Sequence, residues 1–226
     1  MFTRYAIYYT PAPGTALADF GASWLGWDSA SGATRAHPII DGLDVAQITA
    51  TPRKYGFHGT IKPPFRLTDG MTAQGLADAV ADLCADATPV TLDGLHLARL
   101  GRFLALVPQG DVTALTALAA RAVQELDMFR AAPSEAELAK RRTARLSAAQ
   151  DAHLLRWGYP YVLDQFRFHL TLTGPLQAEL AAQAETALAA TLAALDLAPY
   201  QITGLTLLGE DEAGKFHQIH RYDLTG

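Results

Sequence analysis

A nine-residue block occurs twice in this sequence, and its repetition restricts the chain to a duplicated fold. Residues 57–65 and 168–176 share the pattern Phe-His-x-Thr-aliphatic-x-x-Pro-apolar. A second pair of similar blocks, 92–97 and 202–207, is separated by almost the same distance along the chain. Two separate blocks with nearly the same offset indicate that one structural unit occurs twice, at a period far above the roughly 20–50 residues of solenoid repeats.

Each copy of the unit is predicted to run strand, helix, strand, strand, because alternating and helical spacings of apolar residues follow one another in the same order. In the first copy these elements are a strand at 54–67, a helix at 72–87 and strands at 90–98 and 102–107. In the second copy they are a strand at 162–173, a helix at 178–196 and strands at 200–208 and 215–224. We therefore predict an α+β fold with two β-α-β-β lobes, related by a pseudo-twofold axis, whose antiparallel sheets surround a central cleft.

The remaining segments add a strand and several helices to this duplicated unit. A strand is predicted at 1–9, a helix at 15–24, loop with some helix at 29–52, and helices at 111–128 and 134–147, followed by an aromatic loop at 149–161. The basic residues 140–142 are interpreted as a solvated helix face. The whole chain, 1–226, is predicted to be one domain, with a first repeat at about 53–108, a helical insertion at about 111–161 and a second repeat at about 162–226.

The strand that contains each repeated block has one polar face and one apolar face, because side chains two residues apart point the same way. The polar residues are Lys54, His58, Thr60 and Lys62 in the first strand, and Arg167, His169, Thr171 and Thr173 in the second. A pseudo-twofold axis would bring these two faces together across the cleft. A merely solvated sheet face has no reason to repeat histidine and threonine in register.

Paired histidines and threonines suit the cleavage of a phosphodiester. Imidazole titrates near neutral pH, so one histidine can accept a proton from the attacking water while the other donates one to the leaving oxygen. The hydroxyls of Thr60 and Thr171 can donate hydrogen bonds to the non-bridging oxygens, and Lys54, Lys62 or Arg167 can add positive charge. This chemistry requires no cofactor and no metal.

The composition narrows the partners that the chain can bind. The formal net charge is −5, which argues against general binding to nucleic acid or to acidic membranes but allows a small anion in a local basic pocket. Cys84 is the single cysteine, so intrachain disulfides and thiolate zinc sites are excluded. With no apolar run of membrane-spanning length and no signal-peptide pattern, a soluble cytoplasmic protein is expected. His217 and His220 face opposite sides of a predicted strand, so no metal site is expected there.

Three tyrosines are further candidates for substrate contacts. Tyr5 and Tyr8 belong to the first predicted strand, which lies beside the cleft, and the sequence does not decide which of them faces it. Tyr159 lies in the aromatic loop and can stack on a base or sugar, or pack at the junction of the lobes.

The two His-x-Thr motifs resemble those of the 2H phosphoesterase superfamily, which includes RNA 2′,3′-cyclic phosphodiesterases and 2′-5′ ligases. The segments 54–58 and 156–161, with 166–169 after them, are similar to a bacterial branch of that superfamily associated with phosphonate metabolism. The resemblance implies His58, Thr60, His169 and Thr171 as the catalytic set, without a metal. Gly59 departs from the usual apolar residue of the motif; because it points away from the cleft, we expect no effect on the chemistry.

These features lead to one hypothesis and two alternatives. The hypothesis is a metal-independent cyclic phosphodiesterase that acts on a small ribose-linked cyclic phosphate, and the resemblance implies a place in phosphonate metabolism. One alternative is an RNA-end 2′,3′-cyclic phosphodiesterase or 2′-5′ ligase, which the net negative charge and the long insertion disfavour. The other is a non-catalytic nucleotide- or phosphoester-binding module. The sequence does not identify the acid, the base or the oligomeric state.

Overall fold

A computed structural model describes residues 2–226 and shows an α+β fold whose strand pairings are antiparallel. The strands are β1 (Arg4–Tyr9), β2 (Trp27–Asp28), β3 (Ala33–Thr34), β4 (Gly59–Phe65), β5 (Val90–Leu92), β6 (Gly94–Leu100), β7 (Phe103–Gln109), β8 (Leu170–Thr171), β9 (Tyr200–Ile202), β10 (Gly204–Glu210) and β11 (Phe216–Asp223). The helices are α1 (Ala16–Leu25), α2 (Val45–Ile48), α3 (Ala50–Arg53), α4 (Ala73–Ala85), α5 (Thr113–Glu125), α6 (Glu135–Arg142), α7 (Ala148–Trp157) and α8 (Ala178–Leu192). The predicted fold class is thereby confirmed.

Seven strands form one sheet in the order β11-β10-β1-β4-β8-β7-β6, and the strands of the two repeats are exchanged within it. The first strand of the first repeat, β4, lies on the side of β10 and β11, which belong to the second repeat. The first strand of the second repeat, β8, pairs with β7 of the first. The helices follow the same exchange, since α4 packs on β10 and β11 while α8 packs on β6 and β7. Because neither repeat completes its own half of the sheet, we propose that the chain is a single domain.

The pseudo-twofold axis can be located from the strand register. Two strands related by such an axis pair antiparallel, and at the axis each residue faces its own equivalent. Gly59 of β4 pairs with Leu170 of β8, and these are the third residues of the two nine-residue blocks. In a separate two-stranded sheet, Thr91 of β5 pairs with Gln201 of β9, and each directly precedes its copy of the second repeated block. The axis therefore passes through both pairs.

The main hydrophobic core covers one face of the large sheet, and the opposite face holds the cleft. Along β1, Tyr5, Ile7 and Tyr9 belong to the main core, whereas Ala6 and Tyr8 belong to a small cluster on the other side. Such alternate assignment of successive residues to the two sides is what the period of two in a strand produces.

The strands that carry the histidines are shorter than predicted. The predicted strand at 54–67 begins only at Gly59, and the predicted strand at 162–173 contracts to Leu170–Thr171. Both histidines therefore lie just before their strands, in extended or turn backbone held by tertiary contacts.

The insertion contains one more helix than predicted. Helix α6 ends at Arg142, and α7 occupies most of the segment predicted to be an aromatic loop. The side chain of Ser147 accepts a hydrogen bond from the backbone of Gln150, whose side chain caps the Ser147 backbone in return. This capping box satisfies two backbone N–H groups at the N-terminus of α7, and its Ser-x-x-Gln pattern is visible in the sequence. No helix among residues 2–226 is long and apolar enough to cross a membrane.

Candidate active site

The four residues of the two His-x-Thr motifs lie on one face of the sheet, around the pseudo-twofold axis. Gly59, which lies between His58 and Thr60 in the chain, pairs with Leu170 at the axis. Leu170 in turn lies between His169 and Thr171. In this antiparallel register His58 is opposite Thr171, and Thr60 is opposite His169. Residues directly opposite in such a pair have Cβ atoms about 4.5–5.5 Å apart, so the four side chains are neighbours on this face.

Each histidine is oriented by the carbonyl two residues before it. Nδ1 of His58 lies 2.9 Å from the carbonyl oxygen of Gly56, and Nδ1 of His169 lies 2.8 Å from that of Arg167. A carbonyl oxygen only accepts hydrogen bonds, so Nδ1 carries the proton in both rings and Nε2 is left to exchange a proton. Gly56 has φ of +71°, a conformation that glycine adopts without strain.

His58 is held in an environment that favours its neutral form. Its ring stacks on Tyr8 with a centroid separation of 3.8 Å, and Nε2 lies 3.2 Å from the hydroxyl oxygen of Thr60. Burial lowers the pKa of His58 to about 4; the hydrogen bond that His58 donates to the carbonyl oxygen of Gly56 opposes this shift and the charge of His169 adds to it. At neutral pH the imidazole of His58 is therefore a proton acceptor, with the Thr60 hydroxyl donating to its lone pair.

A cavity of about 360 Å³ opens over this face. Three residues of the motifs line it, namely His58, Thr60 and Thr171, together with Phe103. His169 is not among the residues that line this cavity, but its ring lies beside that of Phe103, with a centroid separation of 5.6 Å. The volume lies at the low end of the range of about 300–1,000 Å³ that is typical of small-molecule sites.

Lys62 does not share the face of His58 and Thr60, and its prediction as a substrate contact is wrong. Tyr8 pairs with Thr60 but Ile7 pairs with Lys62, so β4 has an extra residue at a β-bulge that reverses the alternation. Lys62 is 2% exposed and donates a hydrogen bond of 3.0 Å to the carbonyl oxygen of Val123, in the last turn of α5. It caps that helix and does not face the cleft.

The other predicted substrate contacts are distributed between the cleft and other parts of the fold. Tyr8 and Tyr159 line the cavity. Tyr5 does not, because it points into the main core from the opposite face of β1. Arg167 is exposed and does not line the cavity, and it contributes its carbonyl oxygen to His169. Lys54 lies outside this cavity and lines a neighbouring one, where its ammonium group is 4.8 Å from the centre of the Tyr55 ring.

Two arginines, Arg4 and Arg141, also line the cavity, although the sequence motifs do not point to either of them. Arg4 lies on the same face of β1 as Tyr8 and forms two hydrogen bonds with the buried carboxylate of Glu210. The sequence places Arg141 on a solvated helix face, but α6 brings it to the cavity, with its guanidinium 4.7 Å from the centre of the Tyr159 ring. Alternation along β1 could have indicated Arg4, whereas no local pattern indicates Arg141.

Gly59 points away from the cleft, and the space beside it is filled by Phe168. A Cβ atom at this position would lie 2.3 Å from a ring carbon of Phe168, the residue that precedes the second histidine. The glycine therefore fits the aromatic residue of the other repeat.

No group of three or more His, Cys, Asp or Glu side chains within residues 2–226 is arranged to hold a metal ion.

Residues 60–217 match a family described as "Protein of unknown function (DUF1045)". Two similar curated proteins are both named "Ribose 1,5-bisphosphate phosphokinase PhnN". The one from Janthinobacterium sp. (strain Marseille) is 40% identical over 222 residues, covering 94% of this chain and 48% of that protein. The one from Laribacter hongkongensis (strain HLHK9) is 34% identical over 226 residues, covering 96% of this chain and 51% of that protein. The chain thus spans about half the length of the curated relatives it matches.

Solved structures also align along the chain. One titled "Crystal structure of phosphoesterase" covers 99% of each chain with a TM-score of 0.43 and 15% identity. E. coli LigT complexed with 3′-AMP covers 100% of each chain with a TM-score of 0.43 and 13% identity. At these TM-scores the alignments carry no argument about function.

Proposed function

The chain belongs to the DUF1045 family of proteins of unknown function, and we propose that it is a metal-independent cyclic phosphodiesterase acting on a small ribose-linked cyclic phosphate. The observation that carries this proposal is the symmetric pair of histidines around the axis, each with Nδ1 on a backbone carbonyl and Nε2 left for proton transfer. A binding module would need cations and donors, but not a matched acid and base. The resemblance of the paired motifs to those of 2H phosphoesterases supports the same reaction.

In the proposed reaction the cyclic phosphodiester opens by attack of water. His58, which is neutral at pH 7, takes a proton from the water as its oxygen bonds to phosphorus. The bond from phosphorus to one ribose oxygen breaks, and His169 in its protonated form donates a proton to that oxygen. The products are a phosphomonoester and a ribose hydroxyl. When the attacking water takes its place at Nε2 of His58, the Thr60 hydroxyl turns to the phosphate. It then donates, like the hydroxyl of Thr171, to the non-bridging oxygens, where negative charge grows in the transition state.

The name of the curated relatives describes a kinase, and we propose that this activity belongs to the part of those proteins outside the match. Residues 209–215 of this chain have the Gly-x₄-Gly-Lys spacing of a phosphate-binding loop, but Phe216 stands where that motif has Ser or Thr. Such a loop joins a strand to a helix, whereas here the segment turns between the antiparallel strands β10 and β11. Glu210 and Asp211 within it would also repel a phosphate.

The same name supports a ribose phosphate as the substrate of this chain. Opening a cyclic phosphate on a ribose that carries one further phosphate yields a ribose bisphosphate, which is the class of compound named for the relatives. Two consecutive reactions on one sugar phosphate would then reside in one polypeptide of those organisms. The resemblance to the phosphonate-associated branch is consistent with this order, so we propose phosphonate metabolism as the context.

The test is a panel of cyclic phosphates assayed in EDTA: ribose cyclic phosphates, 2′,3′-cyclic mononucleotides and a short RNA with a cyclic phosphate end. We expect turnover of a ribose cyclic phosphate, and a loss of about 10²–10⁴-fold in kcat for His58→Ala and for His169→Ala. His96→Ala is the matched control, since His96 is an exposed histidine on β6 outside the cavity.

Each outcome of this panel has a defined meaning. Binding without turnover of any member would show a phosphoester-binding module and refute the proposal. Preference for the RNA with a cyclic phosphate end would show that the substrate is an RNA and not a small ribose phosphate. Loss of activity in EDTA would refute metal independence alone.

A further inference from the structure

A second cavity, of about 500 Å³, adjoins the first and is not used by the proposed reaction. Four residues line both cavities, namely Arg4, Tyr55, Pro64 and Arg141. The second cavity extends from this shared wall toward α6 and the segment after α7. A molecule whose phosphodiester lies at His58 can therefore reach it past Arg4 and Arg141.

The lining of this second cavity is strongly basic although the chain carries a net charge of −5. The cations that line it are Arg4, Lys54, Arg66, Arg130, Lys140 and Arg141, against the single carboxylate of Glu137. A concentration of one sign of charge in a cleft raises the local concentration of ions of the opposite sign. The cavity is thus suited to an anion.

Three of these cations are matched by carboxylates and three are not. Arg4 pairs with Glu210, Arg66 with Glu137 and Arg130 with Asp127. The unmatched cations are Lys54, Lys140 and Arg141, which have no carboxylate oxygen within 4 Å in the part of the chain that is described, residues 2–226.

Two of the unmatched cations are instead held against aromatic rings. The ammonium group of Lys54 lies 4.8 Å from the centre of the Tyr55 ring, and the guanidinium of Arg141 lies 4.7 Å from that of Tyr159. A ring face attracts a cation without using its hydrogen-bond donors. Donors of Lys54 and Arg141 therefore remain available to a ligand.

Tyr55 connects the two cavities. Its ring is 5.9 Å from the ring of His58 and 5.2 Å from that of Phe216, and its centre is 4.8 Å from the ammonium group of Lys54. Lys54, one of the unmatched cations, is thus separated from the proposed general base by one aromatic side chain.

We propose that this second cavity is a subsite for a phosphomonoester on the same substrate whose cyclic phosphodiester is opened at His58. The inference rests on the proposed function. A phosphomonoester carries close to two negative charges and several acceptor oxygens, so it can receive charge-assisted hydrogen bonds from Lys54, Lys140 and Arg141 together. The substrate is then a ribose that bears a cyclic phosphate at one end and a phosphomonoester at the other.

The experiment compares two substrates that differ only in this group: a ribose cyclic phosphate with a free 5-hydroxyl and the same compound with a 5-phosphate. For the unaltered protein we expect kcat/KM to be about 10²-fold higher with the 5-phosphate. Lys54→Met/Lys140→Met removes two cations that line only the second cavity, and we expect this preference to fall at least tenfold. Arg99→Met/Lys215→Met removes the same charge outside both cavities and should keep the preference.

A binding measurement separates this inference from the proposed reaction. Ribose 5-phosphate has a phosphomonoester but no diester, and we expect it to bind the His58→Ala protein and to bind the Lys54→Met/Lys140→Met protein at least tenfold more weakly. Equal kcat/KM for the two substrates, or a preference that the double variant retains, would overturn the subsite while leaving the phosphodiesterase intact. A preference for a cyclic-phosphate RNA of several nucleotides over both sugars would assign the cavity to an RNA backbone instead. Absence of turnover with every substrate, combined with unchanged binding of ribose 5-phosphate, would refute the proposed function and keep the subsite.

Discussion

Replacing Gly59 by alanine tests the packing that joins the two repeats at the axis. A Cβ atom there would lie 2.3 Å and 2.5 Å from two ring carbons of Phe168, which is only 5% exposed. Carbon atoms in ordinary contact are about 3.5–4.0 Å apart, so the ring must move by roughly 1 Å. Overpacking of this kind costs about 1–3 kcal/mol of unfolding free energy.

The displacement should also reach the chemistry, because Phe168 directly precedes His169. A misplacement of about 1 Å in a catalytic group can reduce the rate by about 10²-fold. We therefore expect Gly59→Ala to lower both stability and kcat, whereas the sequence alone leads to the expectation that this position has no effect on the chemistry.

Urea denaturation of four proteins measures the effect: the unaltered chain, Gly59→Ala, Phe168→Leu and the double variant. A smaller side chain at position 168 makes room for the added methyl group, so the double variant should be more stable than the sum of the single effects predicts, by about 1 kcal/mol or more. Gly75→Ala is the matched control. Its Cβ atom would meet nothing closer than 3.3 Å within α4, and glycine-to-alanine changes in helices usually stabilise by about 0.5–1 kcal/mol. The reasoning is refuted if Gly59→Ala matches the unaltered protein in midpoint and kcat, or if the two substitutions are additive.

Three further predictions concern single side chains. The pKa of His58 is about 4 in the folded state and about 6.5 in the unfolded chain, so between these pH values only the unfolded chain binds the extra proton. The unfolding free energy should therefore fall by about 2–3 kcal/mol as the pH drops from 6.5 to 4, and in His58→Asn the urea midpoint should lose this dependence on pH. Lys62→Met should lower the unfolding free energy by about 1 kcal/mol, because the hydrogen bond to Val123 is lost, and should leave kcat/KM unchanged. A loss of activity without a loss of stability would show that Lys62 does act in the site. Tyr8→Leu removes the stacking partner of His58 and should lower kcat about tenfold or more while Tyr8→Phe retains activity, and equal rates for the two variants would show that the stack does not orient the imidazole.

The duplicated architecture and the shared face of the two motifs could be predicted from the sequence because both depend on local patterns. The equivalence of the repeated blocks reappears as the register of Gly59 with Leu170 and of Thr91 with Gln201. Alternation over two residues was sufficient to place each histidine with its own threonine, since each pair spans a single strand step. These relations hold even though the strands are much shorter than predicted.

Alternation failed where the backbone departed from a regular strand. The β-bulge in β4 turns Lys62 toward α5. The residues around Lys62 do not indicate this extra residue, because a bulge depends on how the strand pairs with its partner. Similarly, Tyr5 and Tyr8 lie on opposite faces of β1, and no local pattern shows which face is turned to the cleft. Only the register with β4, in which Tyr8 pairs with Thr60, assigns Tyr8 to the cleft.

The duplication, the fold class and the facing pairs of histidine and threonine follow from periods and offsets along the chain, so the amino-acid order was sufficient to predict them. Which cations reach the site depended instead on tertiary packing. Arg4 is held there by Glu210, 206 residues away, and Arg141 arrives only because the insertion folds back beside the cavity. Contacts between residues so distant in the chain depend on how whole elements pack, and no local pattern carries that information.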